Sequence, residues 1–255
     1  MDIILYNIFV PIICTIFGYL CGSFSFSIFI GKVFFHQDPR NYGSKNAGGT
    51  NAGRLWGKKF GLLVITLDML KTILPMWICW AILTFVPFGD KPLLATTAVY
   101  YTADNANYII QWPVYYLAAF GCLIGHCWPV FYKFKGGKGA SAYMGTTLGS
   151  TWGLGFLPAG IFYFPILKKT KMVSLTMIIY SAIQLVFTWT WVILVMTEVI
   201  PDGWQWFVMY GPSLNPTWHF ALIVTVMVIV MDARHHANIG RILRHEERKI
   251  TWMGK

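Results

Sequence analysis

Charge is what this sequence has least of, and acidic charge least of all. Asp and Glu number 10 in 255 residues against 20 Lys and Arg, and charged residues make up 12% of the chain. Soluble domains carry about 25%, so an ordinary water-soluble fold is excluded. Cysteine is sparse as well. The five, at 14, 21, 79, 122 and 127, are odd in number, lie in apolar runs and show no CxxC spacing. A disulfide framework or a metal site is therefore not expected, and nothing else calls for a cofactor. The first apolar run follows Met1-Asp-Ile-Ile, with no basic stretch before it and no small-residue cleavage site after it. It reads as a retained helix, not a signal peptide.

What the chain has instead is apolar surface: 56% hydrophobic residues and 17% aromatics, with 12 Trp. Several apolar runs of about 18 residues or more define an all-α, polytopic membrane protein. The aromatics fit belts at the two membrane interfaces. The net charge of +10 on a soluble chain would suggest nucleic acid. Here the basic residues fall in short loops between spans, so they read as topology signals facing anionic lipid, with no nucleic acid partner.

Spans are expected at about 8–30 (with Pro11, Gly18 and Gly22-Ser23 inside), 61–86, 113–131, 173–197 and 217–231. Between Gly139 and Leu167, six breakers (Gly145, Gly149, Gly153, Gly155, Pro158 and Gly160) argue for two short or broken passes. Four segments are basic: 32–59, 133–138, 168–171 and the tail from Arg234. The loops at 87–112 and 198–216 carry the acids Asp90, Asp104, Glu198 and Asp202 with a single lysine, Lys91. The positive-inside rule places all four basic segments in the cytoplasm, which requires about seven spans, the N-terminus outside and the C-terminus inside. Residues 1–255 form one domain, without internal repeat or low-complexity tract.

Three polar segments carry chemistry. Gly43-Ser-Lys-Asn-Ala-Gly-Gly-Thr-Asn-Ala-Gly-Arg54 combines open glycine amides, neutral donors from Ser44, Asn46, Thr50 and Asn51, and the planar fork of Arg54. Phosphate oxygens want this mixture, although a flexible polar connector has a similar composition. The second, Gly125-His-Cys-Trp-Pro-Val-Phe-Tyr-Lys-Phe-Lys-Gly-Gly-Lys-Gly-Ala-Ser141, looks superficially like a nucleotide P-loop. Tyr132 stands at the place of the first glycine and Gly139 follows Lys138 where Ser or Thr is required, so nucleotide binding is rejected. What survives is a glycine turn (Gly136, Gly137, Gly139) opening a helix at Ser141, whose amides attract an anion. His126, on the apolar side, reads more simply as a hydrogen-bonded helix histidine than as a catalyst.

The third segment, Arg234-His-His-Ala-Asn-Ile-Gly-Arg241, repeats His235, Asn238 and Arg241 at helical spacing, offering a ring, an amide and a cation on one face. A basic stop-transfer flank would look similar. Asp68 and Lys71, three apart in the second span, read as an ion pair bracing the helix. No Ser/His/Asp or Cys/His arrangement and no carboxylate pair emerges. The inventory is cations and donors without a general base, as suits a site that holds phosphate-bearing substrates with a good leaving group. A transporter of phosphate or an organophosphate is the alternative, but the polar motifs gather on one side and no second half mirrors them.

Taken together, Gly43-Ser-x-Asn-x-Gly-x-Thr-Asn-x-x-Arg54, Gly125-His-x-x-Pro-Val-Phe-x-x-Phe-Lys-Gly-Gly-Lys-Gly139 and His235-x-x-Asn-Ile-x-Arg241 resemble the PlsY family. These are bacterial acyl-phosphate:glycerol-3-phosphate acyltransferases. Gly22-Ser23 and Leu67-Asp-x-x-Lys71 add to the likeness, which covers nearly the whole chain. The resemblance implies a seven-helix enzyme of the bacterial cell membrane with its site facing the cytoplasm, and the chain is expected to be a monomer. It implies transfer of a fatty acyl group from acyl phosphate to the 1-hydroxyl of glycerol 3-phosphate, giving lysophosphatidate and phosphate for phospholipid synthesis. By that resemblance Ser44, Thr50, Asn51 and the amides around Gly136 and Gly137 would hold the acyl-phosphate head. Arg54, Lys138, His235 and Asn238 would grip glycerol 3-phosphate. No protein base would be needed, since a substrate phosphate can take the hydroxyl proton, with His235 as a direct base the alternative. The chain departs from the family with Lys45 at a usual glycine and Gly49 at a usual alanine, while Glu247 keeps the position of a terminal acid.

Overall fold

The computed structural model describes residues 5–89, 91–92, 99–103, 106–110, 114–150, 157–197, 199 and 218–250. Helices dominate. In chain order they are α1 (Val10–Ser23), α2 (Phe26–Phe35), α3 (Gly49–Trp56), α4 (Lys58–Phe85), α5 (Tyr116–Cys127), α6 (Ala140–Ser150), α7 (Leu157–Thr170), α8 (Val173–Met196), α9 (Trp218–Arg234) and α10 (His236–Leu243). The expected helical class has one local addition. The segment after α4 contains two small antiparallel ladders, Pro87–Phe88 with Lys91–Pro92 and Val99–Ala103 with Ala106–Ile110. The latter strands are rich in Tyr, Val and Ile, a composition suited to a pleated surface. Asp90, Asp104, Glu198 and Asp202, on which the topology argument leaned, lie outside the described residues.

Among the described residues, three helical stretches are long and apolar enough to cross a membrane: Val10–Phe35 taken through its break, Lys58–Phe85 and Val173–Met196. Trp218–Arg234 with His236–Leu243 makes a fourth if the 59° bend between them is counted within one span. In place of a single helix between Gly139 and Leu167, α6 and α7 stand on either side of residues 151–156, which lie outside the described residues.

The first span breaks at Phe24-Ser25 because Ser25 turns the chain out of helix and its Oγ caps α2 by accepting from the Ile28 N–H at 3.5 Å. The Phe24 carbonyl freed by the break accepts from Lys71 Nζ at 2.8 Å. Lys71 is itself paired with Asp68 at 2.8 Å, both side chains almost wholly buried. A charge inside a span is costly unless paired and hydrogen-bonded. Here the pair braces α4, as the sequence suggested, and repairs the backbone of the neighbouring span.

Small residues let the helices meet backbone to backbone. A Cβ on Gly18 or Gly22 would lie 1.9 or 2.1 Å from the carbonyl oxygens of Ala118 or Cys122, and one on Gly121 or Gly125 2.2 Å from those of Thr15 or Tyr19. Two small-xxx-small stripes therefore face each other across α1 and α5. Gly145 of α6 does the same against the Met69 backbone of α4, and Gly149 packs against the Ile73 and Met76 side chains. The central core is filled by Tyr115, Tyr116, Tyr143, Met177, Tyr180, Met227 and Met231, all at most 2% exposed. Gly121→Val should cost about 3 kcal/mol by overpacking this seam and lower the unfolding midpoint in detergent. Gly240→Ala, whose new methyl would meet nothing closer than 3.5 Å, should be neutral or stabilising by up to about 1 kcal/mol.

Candidate active site

The three polar segments converge at one end of the bundle. The 43–54 loop is folded around Asn51, which is 1% exposed. Its Oδ1 accepts the Ser44 N–H at 2.9 Å, while its Nδ2 faces the carbonyls of Pro39, Asn46 and Tyr42 at 2.8, 3.1 and 3.2 Å. The Asn51 carboxamide is thus committed to shaping the loop. Gly49 and Gly53 let α3 lie on the start of α4. A Cβ at Gly49 would sit 2.4 Å from Ile65 Cγ1 and 2.8 Å from the Gly61 carbonyl oxygen. Glycine is what this chain requires at 49.

The glycine turn is folded back onto the end of α5. The Gly137 N–H donates to the His126 carbonyl at 2.9 Å, and a Cβ there would meet His126 Nε2 at 2.0 Å. A Cβ on Gly136 would strike the same carbonyl at 2.1 Å. This bears on one expected donor, since the Gly137 amide is spent on the protein. The smallness of Gly136 and Gly137 draws the turn inward. His126, nearly buried, has its Nδ1 3.8 Å from Asp68. Arg40, which the sequence reading passed over, locks the two segments together. It pairs with Asp38 at 2.7 Å and donates to the carbonyls of Tyr132 and Lys135 at 2.9 and 3.2 Å.

The third segment straddles the bend between α9 and α10, and the chain then returns as a strap. Asn238 accepts from Lys138 Nζ at 2.5 Å and donates to Glu247 at 2.7 Å. Glu247 also accepts from Ser174 Oγ at 2.7 Å and from Arg241 Nε at 2.9 Å. Burial alone would raise its carboxyl pKa, but these donors hold it below the ordinary carboxylate value. Burial, only partly offset by Glu247, pulls Lys138 down to about 8, and burial lowers Arg54 too. The His235 ring is set against the Met231 carbonyl at 2.8 Å through Nδ1. Since a carbonyl can only accept, Nδ1 carries the hydrogen and Nε2 is left as the acceptor. Burial beside Lys138 takes His235 down to about 4, so the ring is neutral at pH 7.

These groups line one cavity of about 470 Å³. Its polar lining gathers Ser44, Asn46, Thr50, Asn51, Arg54, His126, Lys138, Ser141, His235, Asn238 and Arg241 from the sequence reading. Lys58, Ser174 and Arg248 also line it and carried no local signal. Leu62, Ile65, Met69, Met144, Tyr163, Phe164, Leu167, Val173 and Met177 form the apolar remainder. The Arg54 Nε is buried without a partner, a donor that the protein itself does not use.

Helices of spanning length around a cavity lined by both cations and apolar side chains define an integral membrane protein with an amphipathic ligand site. The chain belongs to the glycerol-3-phosphate acyltransferase family, whose pattern matches residues 12–245. It is 34% identical to a glycerol-3-phosphate acyltransferase of Mycoplasmopsis agalactiae over 97% of both chains. It is 32% identical to one from Staphylococcus haemolyticus over 95% of this chain and 98% of that one. Among solved structures it is similar to the glycerol 3-phosphate form of PlsY, an integral membrane glycerol 3-phosphate acyltransferase. That likeness has a TM-score of 0.68 at 26% identity over 94% of this chain and 96% of the other.

Lys45, the departure from the family's glycine, is exposed, has φ +56° and is not part of the cavity wall. The left-handed conformation explains why glycine suits the position, and a side chain there costs about 1 kcal/mol. Lys45→Gly should therefore raise the unfolding midpoint while leaving the affinity for inorganic phosphate unchanged.

Proposed function

We propose that this protein transfers a fatty acyl group from acyl phosphate to the 1-hydroxyl of glycerol 3-phosphate, forming lysophosphatidate and releasing phosphate. One observation carries the reading: a single cavity is lined both by cations and neutral donors and by apolar side chains. Such a lining suits a ligand that carries a phosphate and an acyl chain. The chain is one domain acting as a monomer in a bacterial membrane, and about seven passes place the site on the cytoplasmic side by the positive-inside rule.

Arg54, Lys138 and Arg241 neutralise the phosphates, and Ser44, Asn46, Thr50 and Ser141 supply neutral donors around the acyl-phosphate head. The substrate hydroxyl oxygen attacks the acyl carbonyl, the bond from that carbon to the phosphate oxygen breaks, and the hydroxyl proton passes to a phosphate oxygen. Neutral His235 orients the hydroxyl in the bound substrate by a hydrogen bond to its Nε2, and that hydrogen turns to the phosphate oxygen as the attack begins. Its conjugate-acid pKa of about 4 makes it a poor base, in keeping with a substrate phosphate taking the proton. Asn51 acts through the loop it holds, placing Ser44.

Reconstituted protein should release phosphate from acyl phosphate only when glycerol 3-phosphate is present, and should not accept acyl-CoA or acyl carrier protein as donors. Lys138→Ala and Arg54→Ala should each lower turnover about 100-fold, the scale of losing one group that stabilises developing charge. Intact protein with no acyl transfer would end the reading. Uptake of glycerol 3-phosphate into proteoliposomes without acyl phosphate would favour transport instead.

The pH dependence has a defined sign. Lys138 is charged below its value of about 8 and neutral above it, so KM for glycerol 3-phosphate should rise as pH passes through 8. Lys138→Arg, which stays protonated, should flatten that rise. An identical profile in the two proteins would show that Lys138 does not titrate in binding.

A further inference from the structure

Two cavity residues come from the strap after α10, and they are used differently. Glu247 is consumed by Ser174, Asn238 and Arg241. Arg248 is exposed yet lines the cavity, as does exposed Lys58, so both stand at its open end. Its Nη1 donates to the Gly43 carbonyl at 2.6 Å, one residue before Ser44. Its own carbonyl accepts from Arg54 Nη2 at 3.2 Å. On its far side the strap is pinned by buried Ile250, whose N–H donates to the Lys171 carbonyl at 2.8 Å. Anchored neighbours therefore hold Arg248 at the mouth.

Its charge is not neutralised there. Among the described residues no carboxylate pairs with Arg248. The adjacent acids are taken, Glu246 by Arg244 and Glu247 by Arg241. A guanidinium has five donors in a rigid fork that fits phosphate oxygens two at a time, and the Gly43 carbonyl occupies one of them. We infer that Arg248 is a substrate-engaging residue, binding the terminal phosphate dianion of an incoming substrate at the cavity mouth. Because that same side chain holds Gly43, the captured phosphate lies next to Ser44 and Arg54. This rests on the acyltransferase reading, in which both glycerol 3-phosphate and acyl phosphate carry such a group.

The test uses full-length protein with each substrate varied while the other is saturating, over a range of salt. Arg248→Gln should raise KM for at least one substrate about 10-fold, the loss of one charge-assisted hydrogen bond, with kcat within about 2-fold by the same uniform-binding argument. The plot of log KM against log salt should become shallower. Arg248→Lys, which keeps the charge, should recover part of the KM and the wild-type salt slope. In the unaltered protein, the substrate that engages Arg248 should protect it from phenylglyoxal, read by mass spectrometry of the strap peptide. The substrate that protects identifies which phosphate is held. Unchanged KM and salt slope, or a lowered unfolding midpoint with KM unmoved, would overturn the inference. So would equal labelling of Arg248 with and without both substrates. Wild-type protein inert toward acyl phosphate would count against the acyltransferase reading itself.

Discussion

The site depends on one carboxylate. Glu247 receives Ser174 from the start of α8 and Asn238 and Arg241 from α10. Through the Asn238 oxygen it also fixes Lys138. Three segments far apart in the chain are thereby set around a single negative charge. Arg54, Arg234 and Arg241 lie close enough to perturb Lys138, and Arg241 to perturb Arg54, so without an anion among them these cations would repel. A nearly buried carboxylate satisfied by three donors compensates that repulsion. It leaves the cations pre-positioned, because its own oxygens are used up.

Legibility in the sequence followed the range of the interaction. Local patterns were plain: the apolar runs, the breakers between Gly139 and Leu167, the Asp68/Lys71 spacing, and the three donor-rich segments whose lining residues meet in one cavity. Partners at long range were not. Ser174 opens an apolar helix and has no local pattern to mark it, and Arg40 looks like one more basic residue in a basic loop. Chemistry at a residue also hides what the backbone does with it. Asn51 and Gly137 read as phosphate donors by type, yet both spend their polar groups inside the protein. Lys45 read as a departure from a usual glycine, and its positive φ gives that departure a physical meaning.

The paired strands after α4 show the same limit from another side. A segment rich in Tyr with scattered polar residues has no span-like run, and its β pairing depends on cross-strand neighbours. Helical periodicity, which organises the rest of the chain, carries no information about it.

The glycines explain how a charged turn can sit among helices. Gly136 and Gly137 allow the chain after α5 to fold back against His126, so that Lys138 ends up largely shielded from water instead of in an exposed loop. His126 in turn faces Asp68, whose partner Lys71 holds the broken first span. A buried ion pair, an imidazole and two glycines thus form one continuous support from α4 to the lysine. Any side chain at Gly137 would push the turn off the ring and carry Lys138 away from Asn238. The glycines serve the anion site through position, and the lysine they deliver supplies the charge.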